Sequence, residues 1–394
     1  VSAPVGQTRN SRFETRNNDR NPTERVKPET RIDQIATALS EIAPMVFSAR
    51  KILKNCRVEA SAPCRVDSGG TWDIRSMALP MEAVDPVTVN IALSLRTRVE
   101  LLSFEEGRVK VSSEGFPDTE AHDFKVLPFD SPFGLFHAAV SYFGFHGLEV
   151  RIASDSPSKA ALGGSSTALV ALITALSKLA VLAGKAPLTQ KDILHLAYYV
   201  EDSTSSGKCG IQDQGAAVFG GVNLWRWHFG NRRAPYERMP LLDRKGQLEL
   251  SDRLLVAFSG KSHVSARINQ GWLEGFLSGK TRSGWIEANR IVRLLAQALA
   301  DRKWDRAAGF LREEMAVRRD ITPDALIPLT GTLVRQAEQT GCGARFAGAG
   351  AGGSVWALGE KKGIQELKAL WGSTLTSIRG AGVLDCAVDS KGTR

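Results

Sequence analysis

The amino-acid sequence predicts an α+β fold made of two domains. Its 394 residues exceed what one compact core usually holds. Short runs that alternate apolar and polar residues, typical of strands, come early in the chain, and long runs with helical spacing follow them. Strands followed by helices, with no internal repeat, favour an α+β arrangement over a strictly alternating parallel sheet.

The expected elements can be placed along the chain in order. Alternation between turn residues predicts strands at 56–60, 87–93, 96–102, 109–112, 148–153 and 254–258. Apolar residues at helical spacing predict helices at 32–53 (interrupted by Pro44), 167–183, 190–202, 285–300, 304–316 and 326–340.

The chain divides by composition into a tail and two halves. Residues 1–30 are rich in Arg, Asn, Thr, Pro and Glu, and so little apolar content cannot offset the entropy of ordering. We expect a disordered tail there. The polar stretch 231–247 is the best boundary between the halves, which places the domains at 31–240 and 241–394.

The overall composition limits the classes of partner. A net charge of +9 suits nucleic acid, a membrane surface or an anionic metabolite. No basic segment carries interleaved aromatic residues, and no run of about 18 apolar residues occurs, so we expect neither nucleic acid nor a membrane as partner. The five cysteines lack a CxxC pair, which favours free thiols in a reducing, cytoplasmic location.

A glycine-rich segment at 156–168 precedes an apolar helix. Amide groups at a helix amino terminus lack acceptors and carry the positive end of the helix dipole, so they can hold a polyphosphate. Ser165 and Ser166 add hydroxyls that can cap the helix or bind magnesium. A plain loop with a helix cap is the alternative interpretation.

A second glycine-rich segment, 346–356, contains GxGxxG through Gly348, Gly350 and Gly353. The dinucleotide fingerprint must open a helix, whereas these glycines run into 354–358, which has the pattern of a strand. We therefore expect a glycine loop between two strands, packed against another backbone or a ligand. The triplets at 260–262 and 279–281 lack the first glycine of a phosphate-binding GxxxxGK[ST] loop.

Read in order, these segments resemble the GHMP kinases, the family of galactokinase, homoserine kinase, mevalonate kinase and phosphomevalonate kinase. Residues 62–73 (APCRVDSGGTWD) are similar to the opening sugar-site motif, in the form found in heptose-7-phosphate kinases and fucokinases. Segment 157–168 is similar to the ATP-binding motif, 348–354 to the third motif, and 207–214 (GKCGIQDQ) to the segment that carries the catalytic aspartate in galactokinase-like members.

The resemblance implies a fold and a set of site residues. It implies an amino-terminal domain like ribosomal protein S5 domain 2 and a ferredoxin-like carboxy-terminal domain, with the active site between them. The implied catalytic residues are Asp213 and Arg65. The implied ATP-binding residues are Leu162, Gly163, Gly164, Ser165, Ser166 and Thr167. The implied sugar-binding residues are Asp73, Thr71, Gly70 and Gly350, and the implied Mg²⁺ ligands are Ser166 and Glu201.

The function that follows from the resemblance is ATP-dependent and Mg²⁺-dependent phosphorylation of a sugar or sugar phosphate at its anomeric hydroxyl. Asp213 would accept or orient the proton of that hydroxyl, and Arg65 would keep the aspartate ionised. Two departures stand out: Cys64 replaces a usual glycine, and Ala160-Ala161 replace another. A non-catalytic ligand-binding protein on the same fold is the alternative. The sequence identifies neither the sugar nor the oligomeric state.

Overall fold

The computed structural model describes residues 46–394 except Gly70, Ser206, His263 and Val264. The expected tail, and most of the helix expected at 32–53, lie outside the described residues. Where that helix prediction can be compared, it is wrong at residues 47–48 and right at residues 50–53. Phe47–Ser48 form a strand that pairs in parallel with Phe145–His146, and a helix begins only at Arg50. The pairing brings the Phe47 ring edge-on to the Phe145 ring, which the helical pattern did not reveal.

The described elements are numbered in chain order. The strands are β1 (Phe47–Ser48), β2 (Val58–Ser68), β3 (Val87–Ser103), β4 (Arg108–Ser113), β5 (Glu120–Asp123), β6 (Phe145–His146), β7 (Leu148–Ser154), β8 (Val222–Trp227), β9 (Tyr236–Pro240), β10 (Leu254–Phe258), β11 (Gly343–Phe346), β12 (Ser354–Leu358) and β13 (Gly382–Leu384). The helices are α1 (Arg50–Asn55), α2 (Arg75–Ala78), α3 (Gly134–Phe143), α4 (Gly164–Leu182), α5 (Gln190–Thr204), α6 (Gln212–Phe219), α7 (Arg244–Ser251), α8 (Ser265–Leu277), α9 (Arg282–Ala300), α10 (Trp304–Ile321), α11 (Pro328–Gln339) and α12 (Lys361–Leu375).

The first sheet has seven strands in the order β5-β4-β7-β3-β8-β9, with β2 also paired to β3. Strand β3 is one strand of 17 residues where two were predicted, because its two ends bind different neighbours: Val87–Ile91 pair with β8, and Thr97–Ser103 pair with β7. Strand β2 extends past its predicted end to Ser68. Its register shifts between Pro63 and Arg65, where the proline has no amide hydrogen to donate.

Helix α4 lies in the core behind this sheet and is buried along most of its length. Its length and composition would suit a membrane span, but 78% of that stretch is buried within the protein, as in the central helix of an ordinary core. Because β2 and β3 hold one side of α4, the amino end of the helix is fixed next to the carboxyl end of β2.

The second sheet is antiparallel, in the order β11-β12-β10-β13. Counted from β10, this order is 4-1-3-2 when read from β13, and the connections follow the βαββαβ pattern of ferredoxin-like folds. The predicted α+β class is confirmed. The change of sheet falls between Pro240 and Leu254, close to the predicted boundary, although the domain limits themselves stay predictions.

The glycine-rich segment 347–353 connects β11 to β12, and no helix follows it. The dinucleotide-binding interpretation is therefore excluded, and the predicted loop between two strands is confirmed. This loop packs against the 156–163 segment: a Cβ at Gly353 would lie 2.6 Å from Ala161 Cβ. The two glycine-rich segments, one following a strand of the first sheet and one connecting two strands of the second, are therefore in contact.

Candidate active site

A cavity of about 870 Å³ lies where these segments meet. Most of the side chains predicted to be functional line it. They are Arg65, Thr71, Asp73, Leu162, Gly163, Gly164, Ser165, Ser166, Glu201 and Asp213. Thr167 and Gly350 are not part of its lining, and Gly70 lies outside the described residues. The cavity is large enough for a nucleotide together with a small polar substrate.

Arg65, near the end of β2, holds both carboxylate oxygens of Asp213. Its Nε donates to Oδ1 at 2.7 Å and its Nη2 donates to Oδ2 at 2.8 Å, a bidentate pair. Burial alone would lower the pKa of Arg65, but the carboxylates of Asp213 and Asp67 raise it above its ordinary value. The Asp213 side chain keeps 23% of its surface exposed. Arg65 thus fixes the orientation of Asp213 while leaving it open to the cavity.

Two helix amino termini point to the same region. Asp213 stands in the first turn of α6, where the helix dipole favours a negative charge. Gly163 caps α4 with φ 75°, a left-handed conformation that glycine adopts without strain. The first amide groups of α4, at Gly164, Ser165 and Ser166, have no intrahelical acceptor. The first turn of α4 is therefore suited to bind an anion such as a phosphate.

In two of the residues predicted to bind ATP, Thr167 and Leu162, a polar group forms a hydrogen bond within the protein instead of facing the cavity. Thr167 is fully buried, and its hydroxyl donates to the Gly163 carbonyl at 2.8 Å, within the first turn of α4. That hydroxyl is occupied by a carbonyl of its own helix and does not face the cavity, so a phosphate contact by Thr167 stays a prediction. Leu162 accepts the Arg65 amide hydrogen at 3.1 Å and anchors the loop to β2.

Glu201, on α5, reaches the first turn of α4. It accepts hydrogen bonds from Ser165 Oγ at 3.3 Å and from Gln214 Nε2 at 2.6 Å. Burial, followed by the nearby negative charge of Asp213, raises the pKa of Glu201 to about 7, although a hydrogen bond from Ser166 opposes the shift. The buried carboxylate of Glu201 is stabilised by a positive counter-charge. Together with the serine hydroxyls beside it, it forms a set of oxygen ligands of the kind that Mg²⁺ prefers. The predicted ligands Ser166 and Glu201 fit this ion.

Asp73 lies close to Asp213, in the turn that follows β2. Its two oxygens accept the amide hydrogens of Thr71 and Gln212, each at 3.0 Å. Burial, then the charge of Asp213, raises the pKa of Asp73 to about 6. Thr71 has a φ of 92°, which is unusual for a β-branched residue. Backbone strain of this kind is common at ligand-binding sites.

Gly350, predicted to bind substrate, turns away from the cavity. A Cβ at this position would lie 2.4 Å from the Ala325 carbonyl oxygen, so the glycine serves close backbone packing. The residues of this loop that line the cavity are Gly348 and Ala349, and the Gly348 amide donates to Asp67 Oδ1 at 3.0 Å. Gly350 itself does not line the cavity, so its role in substrate binding stays a prediction: the motif identified the loop but not the face of the loop that is exposed.

A buried charge network joins the cavity to the second sheet. Asp67 is 1% exposed and lies 3.5 Å from Arg65 Nη1. Its Oδ2 also lies 3.2 Å from Nη1 of Arg345 on β11, and Arg345 Nε lies 3.3 Å from Glu314 on α10. Charges alternate along this path, as buried ions require. Arg65 is thereby supported from the second sheet as well as from its own strand.

Sequence reasoning missed two groups of cavity residues. Polar members are Lys208, Cys209, Gln212 and Asn269; the Gln212 Oε1 atom is buried without a hydrogen-bond partner among the described residues. Apolar members form a wall made of Phe116, Pro132, Leu135, Phe136 and Ile152, which we call the apolar wall. The position of Gln212 beside Asp213 was a usable signal. The apolar wall gave none, because its residues have the pattern of ordinary core.

Comparisons with known proteins bear on this site. Residues 133–221, which include the amino terminus of α4, Glu201 and Asp213, match the sequence profile of the GHMP kinases N-terminal domain. D-glycero-alpha-D-manno-heptose 7-phosphate kinase from Campylobacter jejuni is 30% identical over 190 residues. That alignment covers 45% of this chain and 52% of the relative, so it spans about half the length of that protein.

Solved structures with the same fold cover more of the chain. Lactococcus lactis galactokinase, in complex with galactose, superposes with a TM-score of 0.65 at 18% identity, covering 91% of this chain and 99% of that protein. Streptococcus pneumoniae phosphomevalonate kinase, in complex with phosphomevalonate and AMPPNP, has a TM-score of 0.66 at 15% identity and covers 85% and 100%. At such identities the likeness concerns the fold.

Proposed function

We propose that this chain, whose residues 133–221 match the GHMP kinases N-terminal domain and whose fold is that of solved GHMP kinases, transfers a phosphoryl group from ATP to a sugar or sugar phosphate. The observation that carries the proposal is the bidentate Arg65–Asp213 pair, which lies in one cavity with the amino terminus of α4. Such a transfer requires a carboxylate that orients the acceptor hydroxyl and amide groups that hold the phosphates.

Asp213 acts on the acceptor in this mechanism. Each of its oxygens accepts one hydrogen bond from Arg65, which leaves lone pairs that can accept the substrate hydroxyl proton. Arg65 holds the carboxylate still, and its positive charge offsets the charge that develops on the transferred group. Fixing both partners before the reaction lowers the entropic part of the barrier.

The first turn of α4 holds the nucleotide phosphates. The amides of Gly164, Ser165 and Ser166 and the helix dipole stabilise the negative charge. The apolar wall lies in the same cavity and suits the flat, apolar faces of the adenine base. Mg²⁺ held by Ser166 and Glu201 would neutralise negative charge on the phosphoryl group that is transferred.

The sugar lies on the Asp73 side of Asp213. Asp73 and Gln212 offer acceptor oxygens for sugar hydroxyls, and Lys208 lies at the exposed edge of the cavity, where it can attract an anionic substrate. The 62–73 segment resembles the sugar-specific branch of the family, which supports phosphorylation at the anomeric hydroxyl. The product is then a sugar 1-phosphate.

The experiment that tests this function is ADP release measured against a panel of acceptors. The panel contains heptose 7-phosphates, fucose, galactose, arabinose and uronic acids, each with ATP and Mg²⁺. One acceptor is expected to give turnover, and phosphorus NMR of its product should show coupling to the anomeric proton. Phosphate on a primary alcohol would contradict the anomeric assignment. Tight ATP binding with no turnover on any acceptor would favour the non-catalytic alternative.

A further inference from the structure

Outside the cavity, three side chains with metal-binding atoms meet between the edge strand β5 and helix α3. Glu120 and His122 are two positions apart on β5, so their side chains lie on the same face of the strand. His137 reaches them from α3 and is fully buried. The carboxylate and imidazole ligand atoms of the three residues all lie within 4.8 Å of one another.

Two of the three distances between ligand atoms match the edges of a metal coordination shell. Glu120 Oε2 lies 3.3 Å from His122 Nε2 and 3.1 Å from His137 Nε2. Ligands bound at about 2.0–2.1 Å around a tetrahedral ion stand about 3.3 Å apart. The two imidazole rings are nearly perpendicular, at 82°, so both Nε2 atoms can face one point without the rings colliding.

From this geometry we propose that Glu120, His122 and His137 bind a zinc-type transition-metal ion. Two imidazole nitrogens and one carboxylate oxygen form a three-ligand set that zinc accepts, with a fourth position left for water. For Nε2 to bind the ion, the proton that it now donates to Glu120 must move to Nδ1 of the same ring, so that each histidine binds as a neutral imidazole. The oxygen ligands at Ser166 and Glu201 favour Mg²⁺, whereas imidazole nitrogens favour zinc, so the two sites are chemically distinct.

Such an ion would fasten α3 to the edge of the first sheet, behind the apolar wall. Phe136 lines the cavity and directly precedes His137 in α3. Phe116, on the connection that leads to β5, packs against Phe133 at the start of α3 with ring centroids 5.6 Å apart. Because α3 carries both His137 and the wall residues Leu135 and Phe136, and Phe116 lies on the connection to β5, the bound ion stabilises that end of the cavity.

The test is isothermal titration of Zn²⁺ into the untagged, chelator-treated full chain without nucleotide. The wild-type protein is expected to bind about one equivalent and to melt at a higher temperature once loaded. Glu120→Gln and His122→Gln should each weaken binding by at least about tenfold, the scale of losses seen even when only supporting residues of metal sites are changed. Both replacements are close in size to the original side chains, whereas His137→Ala would open a hole in the core.

Two control variants make the result specific. His228→Gln removes a half-buried histidine elsewhere, and Glu201→Gln removes the carboxylate of the Mg²⁺ site; both should bind Zn²⁺ as the wild type does. The proposal is overturned if the wild type binds no Zn²⁺ in the micromolar range, if Glu120→Gln and His122→Gln bind it normally while folded, or if Glu201→Gln alone abolishes binding. In those cases the three side chains form only a hydrogen-bonded cluster. None of these readouts depends on kinase turnover.

Discussion

Gly163 lies directly against Asp213: a Cβ at this glycine would stand 3.2 Å from Asp213 Oδ2 and 3.4 Å from Arg65 Nε. The residue that caps the phosphate-binding helix therefore also limits where the catalytic carboxylate can lie. A side chain here would meet the carboxylate, and the φ of 75° disfavours any residue with a Cβ.

The first prediction concerns this contact. Gly163→Ala should lower kcat by at least about tenfold, because a displacement of the order of 1 Å at a reacting group costs up to about 100-fold in rate. Gly184→Ala is the matched control, since Gly184 also has a left-handed φ of 84° but lies outside the cavity and a Cβ there meets nothing within 4 Å. Steady-state kinetics of the two variants should differ clearly, and equal activities would show that Gly163 does not constrain Asp213.

A second prediction concerns Ser166. Ser166→Ala should raise the Mg²⁺ concentration needed for half-maximal activity, and excess Mg²⁺ should restore part of kcat, because one oxygen ligand is lost while Glu201 remains. Ser165→Ala, which removes the more exposed hydroxyl, is the comparison and should change the Mg²⁺ requirement less. If Ser166→Ala only lowers the melting temperature and leaves the kinetics unchanged, the serine is structural.

A third prediction follows from the pKa of Glu201, which burial raises from 4.5 to about 7. Between these values the folded protein holds a proton that the unfolded chain has released, so the free energy of unfolding falls as pH rises. Without Mg²⁺ or nucleotide, Glu201→Gln should make the melting temperature less dependent on pH across this window. Asp73 adds a slope of the same sign at lower pH and remains in the variant. Parallel curves for the wild type and Glu201→Gln would contradict this assignment.

The fourth prediction tests the buried charge network. Asp67→Asn removes the negative charge between Arg65 and Arg345. Breaking a buried ion pair from one side costs about 3–5 kcal/mol, so urea denaturation should show a large loss in the free energy of unfolding. Asp252→Asn, which affects an exposed pair with Lys361, is the control and should change stability little. Similar stabilities for the two variants would mean that Asp67 contributes no such support.

The sequence predicted the α+β class and the segments that meet, but not which atoms face the cavity. Thr167 and Gly350 belong to these motifs, yet the Thr167 hydroxyl donates to a carbonyl of its own helix and Gly350 packs on the Ala325 carbonyl. Side-chain direction depends on the tertiary neighbours of each loop, and a motif does not contain them. The pairing of Arg65 with Asp213 joins residues 148 positions apart, which only the resemblance could suggest in advance.

Two features could not be predicted from the sequence around them. Helix α3 was not predicted, because its short apolar pattern begins at a glycine and carries no capping side chain. The cluster of Glu120, His122 and His137 depends on that helix packing against the sheet edge, so it emerges only from the fold. In contrast, the strand pattern of 354–358 already disfavoured a dinucleotide site before the structure excluded it, because that site requires a helix at this position.

The most direct test of the account is Asp213→Asn, measured with the acceptor that the panel identifies. The variant keeps the size of the side chain and much of its hydrogen bonding to Arg65, but it loses basicity. We expect kcat to fall about 10²–10⁴-fold, with ATP affinity and melting temperature close to wild type, because the amides of α4 hold the nucleotide. A near-normal kcat in a folded variant would contradict the assignment of Asp213 as the group that accepts the hydroxyl proton.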